Sequence, residues 1–329
     1  MPLSFYNESS YIDGQAILPV PHYCPALELN IPKPSHQSEL FSQFSREDDG
    51  RLKLIDEEIR KSQSGIIMDV LKQAGMSVLE GKGMVGVSLP VRIFEPRSTI
   101  ERVTDVWGYA PYFLNKAAEN GNPVERVKAT LAMMVAAFPF MLSQWKPFNP
   151  ILGETYSAVL EDGTTIECEH TSHHPPVTNY YITLKKCKIY GSFCYNAEIK
   201  ANSIKAFNEG WGTVHFQDGS KIKFAQPMLG IGGTVFGTRD LKFNGSCTAV
   251  DEQTKIKGVI KMAADAKTGL TSWFMKSRYD TFRGSIYMYD VKKHNETCKL
   301  KWNKMVREFS DMKDSLQELE KIEGSWLEN

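Results

Sequence analysis

From Glu154 onward the hydrophobic period of this 329-residue chain changes from near 3.6 to 2. Short β-rich runs recur at residues 164–169, 177–184, 189–195, 210–216, 221–224, 232–236, 241–250, 256–262 and 285–289, with turn residues between them. Ile222 and Phe224 alternate with Lys221 and Lys223, which suits strands with one apolar and one wet face. Asp162-Gly163, Asp218-Gly219 and Asn244-Gly245 are hairpin dipeptides, and the first two fall at expected strand junctions. No helical stretch interrupts these runs, so the sheet they build is large and antiparallel. Its edges must be closed, paired or covered. Closure into a barrel meets that need, and a barrel of this size encloses a cavity. The predicted fold is α+β, mainly antiparallel β, organised as a large near-closed barrel with residues 154–303 supplying its strands.

Ahead of the strands the period is helical. Ile67, Val70, Leu71, Ala74 and Val78 line one side of an expected helix at residues 64–82, with Asp69, Lys72, Gln73 and Glu80 on the other. Two readings are open there: a helix packed on the core, or a mobile lid hinged at Gly81, Gly83 and Gly86. Residues 98–143 are expected to form supporting helices. Ser98-Thr99-Ile100-Glu101 has capping-box spacing, and Asn122-Pro123 pairs an N-cap with proline at the first helical position. Val124, Val127, Leu131, Met134, Val135 and Phe138 make the apolar stripe that follows.

Residues 1–63 carry Pro19, Pro21, Pro25, Pro32 and Pro34 without a sustained apolar period, and are expected to form an extended, partly disordered lead. A short charged helix is expected near residues 52–61. In the tail, Met312, Leu316 and Leu319 follow helical spacing, and residues 322–327 read as a strand. The longest apolar run, residues 129–142, is shorter than the roughly 20 residues a spanning helix needs, so a cytoplasmic protein peripheral to membranes is expected. Thirty-nine basic residues balance thirty-nine acidic ones, which excludes a whole-chain attraction to nucleic acid. Six dispersed cysteines without a Cys-x-x-Cys pair fit reduced thiols.

The chemistry concentrates in Glu169-His170-Thr171-Ser172-His173-His174-Pro175-Pro176 and in Lys146-Pro147-Phe148-Asn149-Pro150-Ile151-Leu152-Gly153-Glu154. Prolines stiffen both stretches and hold the preceding residues extended. Cys168, His170, His173 and His174 are possible zinc ligands, but their spacing matches no common site. Ser172 beside His173 does not make a catalytic pair, since neighbours in an extended segment point to opposite faces. No nucleophile elbow, Walker loop or dinucleotide fingerprint is present, so neither enzymatic activity nor a cofactor is expected. Anion recognition fits these residue types better: a lysine charge with amide and imidazole donors suits a phosphate. On residue types alone, two structural histidines remain an equal reading.

The first stretch resembles the fingerprint of the oxysterol-binding protein family, whose usual form is E-Q-V-S-H-H-P-P. Here His170 and Thr171 stand for Gln-Val, an exchange expected to be neutral. The second stretch resembles the family's K-P-x-N-P-x-L-G-E signature. Ser88-Leu89-Pro90 and Phe94-Glu95-Pro96-Arg97-Ser98 resemble the segment after the family's lid. The resemblance runs through residues 64–329 and implies a lipid-transfer domain: a barrel around an apolar tunnel with an N-terminal lid. It further implies that Lys146, Asn149, His173 and His174 hold the phosphates of phosphatidylinositol 4-phosphate at the tunnel mouth. Ile67, Val70 and Leu71 would line the lid. The exchanged lipid would be a sterol or phosphatidylserine, carried between membrane surfaces. A K-x-x-x-E-x-x-x-R helix is also expected from the resemblance; Lys313, Gln317 and Lys321 match it poorly, and residues 304–329 are expected to be a shortened C-terminal part. Two readings from other classes are a metal-dependent hydrolase using the same histidines, and a sensor or scaffold that binds lipid without moving it.

Overall fold

The computed structural model of the chain describes residues 10–12, 15–18, 41–66, 69, 89–200, 202–266, 276–289 and 316–327. The period-2 region forms most of a twelve-stranded sheet. Its spatial order is Ser10–Ile12, Gln15–Leu18, Thr155–Leu160, Thr165–His173, Pro176–Thr183, Cys187–Phe193, Gly212–Phe216, Lys221–Ala225, Ser246–Asp251, Ile256–Met262, Thr281–Tyr289 and Leu316–Ser325. Neighbours are antiparallel except Gln15–Leu18, which runs parallel to Thr155–Leu160. A second sheet of six strands runs Tyr195–Lys200, Ser203–Asn208, Met228–Gly232, Asp240–Asn244, Leu52–Leu54 and Phe44–Arg46. A third, small sheet pairs Phe94–Ser98 in parallel with Lys146–Phe148. The mainly antiparallel α+β architecture expected from the sequence is the one that forms.

The run expected at 241–250 divides at Asn244-Gly245, where Gly245 takes φ +87° and the chain passes from the smaller sheet to the larger. A left-handed residue without a Cβ makes that corner cheap. The run expected at 232–236 does not form. The strand there is Met228–Gly232, and the chain then turns at Gly233 (φ +63°) and Gly237 (φ +85°).

Among the described residues four α-helices stand against the sheets: α1 (Glu57–Ser62), α2 (Arg102–Trp107), α3 (Ala110–Asn120) and α4 (Pro123–Ala136). Asp56 caps α1 by accepting from the Ile59 N–H (2.9 Å), and Asn122 caps α4 by accepting from the Val124 N–H (2.9 Å). Gly121 ends α3 in the left-handed conformation, so α3 and α4 form a tight hairpin. The α4 stripe packs on Ser246–Asp251 and Ile256–Met262, which are buried along nearly their whole length. A Cβ on Gly258 would lie 2.7 Å from Leu131 Cδ1 and 2.8 Å from Val127 Cγ1, so only glycine admits the helix at that depth. Trp107 at the end of α2 is fully buried, with ring centroids of Tyr180, Phe193 and Phe224 5.9, 6.2 and 5.4 Å away. One core therefore joins helices and sheet.

Part of the stretch expected as a lead is folded. Phe44–Arg46 and Leu52–Leu54 extend the smaller sheet, and Phe44, Leu52, Leu54 and Ile59 are buried in the common core. The helix expected near residues 52–61 starts only at Glu57, because Leu52 and Leu54 pair as strand with Arg46 and Phe44. The helical tail is a correction of the same kind. Residues from Leu316 are strand, paired with Thr281–Tyr289 along its length. Tertiary pairing overrides a weak helical spacing, and Lys128 on α4 meets Glu320 of this strand at 2.7 Å. Ile67, Val70, Leu71 and Lys313 lie outside the described residues.

Candidate functional site

Two segments carry the expected head-group residues, and the backbone ties them together at His170. The Gly153 N–H donates to the His170 carbonyl (2.8 Å), and the His170 N–H donates to the Glu154 carbonyl (2.9 Å). The first segment is further braced by the Phe94–Ser98 strand: Phe94 stacks on Phe148 at 4.6 Å, and the Thr99 N–H donates to the Phe148 carbonyl. That strand is itself locked to α2, since Glu95 is buried and accepts both Arg102 donors at 2.6 Å. The expected capping box is half formed. The Ser98 N–H does reach Glu101 Oε1 (3.3 Å), but the Ser98 hydroxyl donates to Glu154 Oε1 (2.7 Å). Glu154 Oε2 accepts from the Ile151 N–H (2.8 Å). Glu154 is thus the clasp of the Asn149–Gly153 turn, a role its sequence position did not disclose.

Lys146 lies half-buried over the Phe94 ring (4.7 Å), and its ammonium donates to Asn149 Oδ1 (2.9 Å) and the Pro147 carbonyl (3.0 Å). With Asn149 Oδ1 engaged in this way, the amide has its NH₂ group left to offer as a donor. Among the described residues no carboxylate lies within ion-pair distance of Lys146. Burial lowers its pKa to about 8. An approaching phosphate dianion reverses that shift, because a nearby opposite charge favours the protonated amine.

On the second segment His173 ends the Thr165–His173 strand, and the His174–Pro175 bond is cis. His173 and His174 are both exposed, with ring centroids 4.9 Å apart in an edge-to-face arrangement. The structure thus brings Lys146 to Asn149 and His173 to His174, on segments bonded to each other beside them. Cys168 is different: it points into the core, and burial pushes its thiol up to about 12. Among the described residues no group of three histidine, cysteine or acidic side chains is placed to hold one metal ion.

Residues 74–325 match the family model described as oxysterol-binding protein. The chain belongs to the oxysterol-binding protein family. It is 32% identical over 295 residues to oxysterol-binding protein 9 of Dictyostelium discoideum, covering 88% of this chain and 66% of that one. With oxysterol-binding protein-related protein 8 of Homo sapiens it shares 29% identity over 217 residues, 62% of this chain and 24% of the relative. The chain therefore spans about two thirds of the first relative's length and a quarter of the second's. Among solved structures, the ORD domain of Osh1 in complex with ergosterol superposes with TM-score 0.56 at 23% identity, covering 70% of this chain and 52% of that one. The Osh3 ORD of Saccharomyces cerevisiae in complex with PI(4)P superposes with TM-score 0.56 at 22% identity, covering 67% and 56%. These two likenesses concern the fold alone.

Two expectations follow from Lys146. If the anion held there is a phosphoinositide head group, its affinity falls as the pH rises through about 8, where the free protein's amine loses its proton, and Lys146→Arg carries binding to higher pH. Vesicle titrations at several pH values check both. The cation is costly to the fold at neutral pH, since its folded-state value is depressed below that of the unfolded chain. Lys146→Met is therefore expected to gain about 1 kcal/mol in a denaturant titration.

Proposed function

We propose that this chain binds a sterol or another membrane lipid in an apolar interior and exchanges it between membranes for phosphatidylinositol 4-phosphate, without catalysis. The observation that carries this reading is the half-buried Lys146, a cation with no carboxylate partner among the described residues, aligned with Asn149 on a segment bonded to the one bearing His173 and His174. Such a site lacks only the anion that would neutralise it. Family membership supports the lipid, and the Osh1 and Osh3 domains of the same fold were crystallised with ergosterol and PI(4)P. An apolar interior spares the lipid tail the cost of crossing water, about 0.8 kcal/mol per CH₂, so the tail loses little on leaving a bilayer. On this reading Ile67, Val70 and Leu71 cover the lipid as a lid.

The same segments offer the bilayer a foothold. Ile151 and Leu152 are 76% and 62% exposed at the turn clasped by Glu154, and Val91 is 75% exposed just before Phe94. Large apolar side chains displayed beside cationic donors suit the head-group layer of a membrane. Ile151→Asp with Leu152→Asp is expected to lower binding to anionic vesicles about thirtyfold in a flotation assay, each of the two lost insertions being worth of order 1 kcal/mol. The decisive experiment loads the protein from vesicles containing labelled sterol or labelled phosphatidylinositol 4-phosphate and follows delivery to acceptor vesicles. Uptake of neither lipid overturns the reading, and uptake without delivery leaves a sensor rather than a carrier.

A further inference from the structure

In a regular strand, residues three apart face opposite sides, so His170 and His173 would not meet. Here they do. The pairing of Thr165–His173 with Pro176–Thr183 shifts register between His170 and Ser172: His170 lies opposite Thr178, and Ser172 opposite Val177. One extra residue is absorbed at Thr171, a β-bulge, and the parity of the strand reverses after it. The bulge is fastened by Asn179, whose Nδ2 donates to Thr171 Oγ1 (2.8 Å). It brings the exposed His173 onto the side of the buried His170, with His170 Nε2 and His173 Nδ1 3.3 Å apart and the rings edge to face. The far nitrogen of His170, Nδ1, meets Thr178 Oγ1 at 3.0 Å.

We infer that His170 is a positioning residue: through this contact it fixes the ring orientation and tautomer of His173, so that His173 Nε2–H faces outward as a donor to the phosphate of a lipid head group. The inference rests on the phosphoinositide reading above.

Proton counting supports it. When His170 carries its hydrogen on Nε2, it donates to His173 Nδ1 and accepts at Nδ1 from the Thr178 hydroxyl. His173 then holds its own hydrogen on Nε2. When His173 is an imidazolium, its Nδ1–H donates to His170 Nε2, and His170 Nδ1–H donates to Thr178 Oγ1. Again His173 Nε2–H points outward. The remaining arrangement, a bare His173 Nε2, puts the hydrogen on Nδ1, the less stable neutral tautomer of a histidine side chain, and would also turn a lone pair toward the anion, so it is disfavoured with or without a phosphate. Burial holds His170 neutral by lowering its pKa, as does the neighbouring His173. A neutral partner can play either part, whereas a second cation would repel the first.

The test has two readouts on wild type, His170→Gln and His170→Leu. Ring-nitrogen NMR shifts of His173 in the ligand-free protein report its tautomer. Wild type and His170→Gln, whose amide spans the same two partners, are expected to show the Nε2–H form, and His170→Leu a mixture. Titration with vesicles containing phosphatidylinositol 4-phosphate is expected to find His170→Leu weakened about tenfold, the equivalent of one aligned hydrogen bond, and His170→Gln within about twofold of wild type. Uptake of labelled sterol stays unchanged in both, which separates positioning from loss of fold. An unaltered His173 tautomer in His170→Leu overturns the inference, as does unaltered vesicle affinity. Should wild type itself ignore the phosphoinositide, the head-group reading fails, and the NMR comparison still decides whether His170 sets the ring. If His170→Leu does not fold, His170→Gln carries the test, and a lost Nε2–H signature there counts against the inference.

Discussion

Replacing His173 and His174 together by alanine is expected to slow transfer of labelled phosphatidylinositol 4-phosphate between liposomes by on the order of a hundredfold. On the proposed reading each imidazole supplies one hydrogen bond to a charged phosphate, worth about 1.5–3 kcal/mol, so the pair would account for at least about 3 kcal/mol. Both rings are exposed at the end of their strand, outside the core. The double variant should therefore keep its melting temperature and its sterol uptake. That combination, phosphoinositide lost and sterol retained, is the signature of a head-group site. Equal transfer by variant and wild type would remove His173 and His174 from the site and leave them as strand-end residues.

The second large effect is on stability. Asp280 is fully buried and draws three parts of the chain together. Its carboxylate accepts from Arg278 (2.8 and 2.9 Å), from Arg46 (2.8 Å) and from the Ser325 hydroxyl (2.6 Å). The Asp280 carbonyl also accepts from the Trp326 N–H (3.1 Å). Gly50 (φ +76°) packs so closely that a Cβ there would lie 1.9 Å from Asp280 Oδ1. Asp280→Ala removes the acceptor that a buried hydroxyl and two guanidinium groups share, and breaking a buried pair in this way costs about 3–5 kcal/mol. The lower end is expected, because Arg46 and Arg278 are both about 40% exposed and can turn to water. Urea denaturation followed by tryptophan fluorescence measures the loss, and a change under about 1 kcal/mol would show that the cluster is not a fastener. Burial opposes ionisation of Asp280, yet the bonds from Arg278 and Ser325 prevail and hold its pKa well below the usual range. Its contribution is thus present above the unfolded carboxylate value and lost as the pH falls below it. The acid limb of the stability profile should flatten in Asp280→Ala.

Much of the candidate site was legible because its signals are local. Proline fixes the backbone of Lys146-Pro147 and Asn149-Pro150 by covalent geometry, and Lys146 and Asn149 are near enough in sequence to meet within one turn. His170 was passed over. Its exchange for the usual glutamine was expected to be neutral, yet the structure buries it under His173. That contact depends on a one-residue bulge, and a bulge reflects how two strands come into register, which no spacing within one strand reveals. Glu154 was missed for a similar reason: its partner Ser98 is remote in sequence.

The sequence by itself determined the elements whose causes are short-range: the cap of α4, the hairpin dipeptides, most of the period-2 runs and the two stiff segments. Tertiary structure alone decided that Leu316–Ser325 is a strand, that Phe44–Arg46 and Leu52–Leu54 join a sheet, and that the run at 241–250 divides between two sheets. A strand's partners lie far along the chain, and its identity is a property of the pair. A capped helical turn closes its hydrogen bonds within itself.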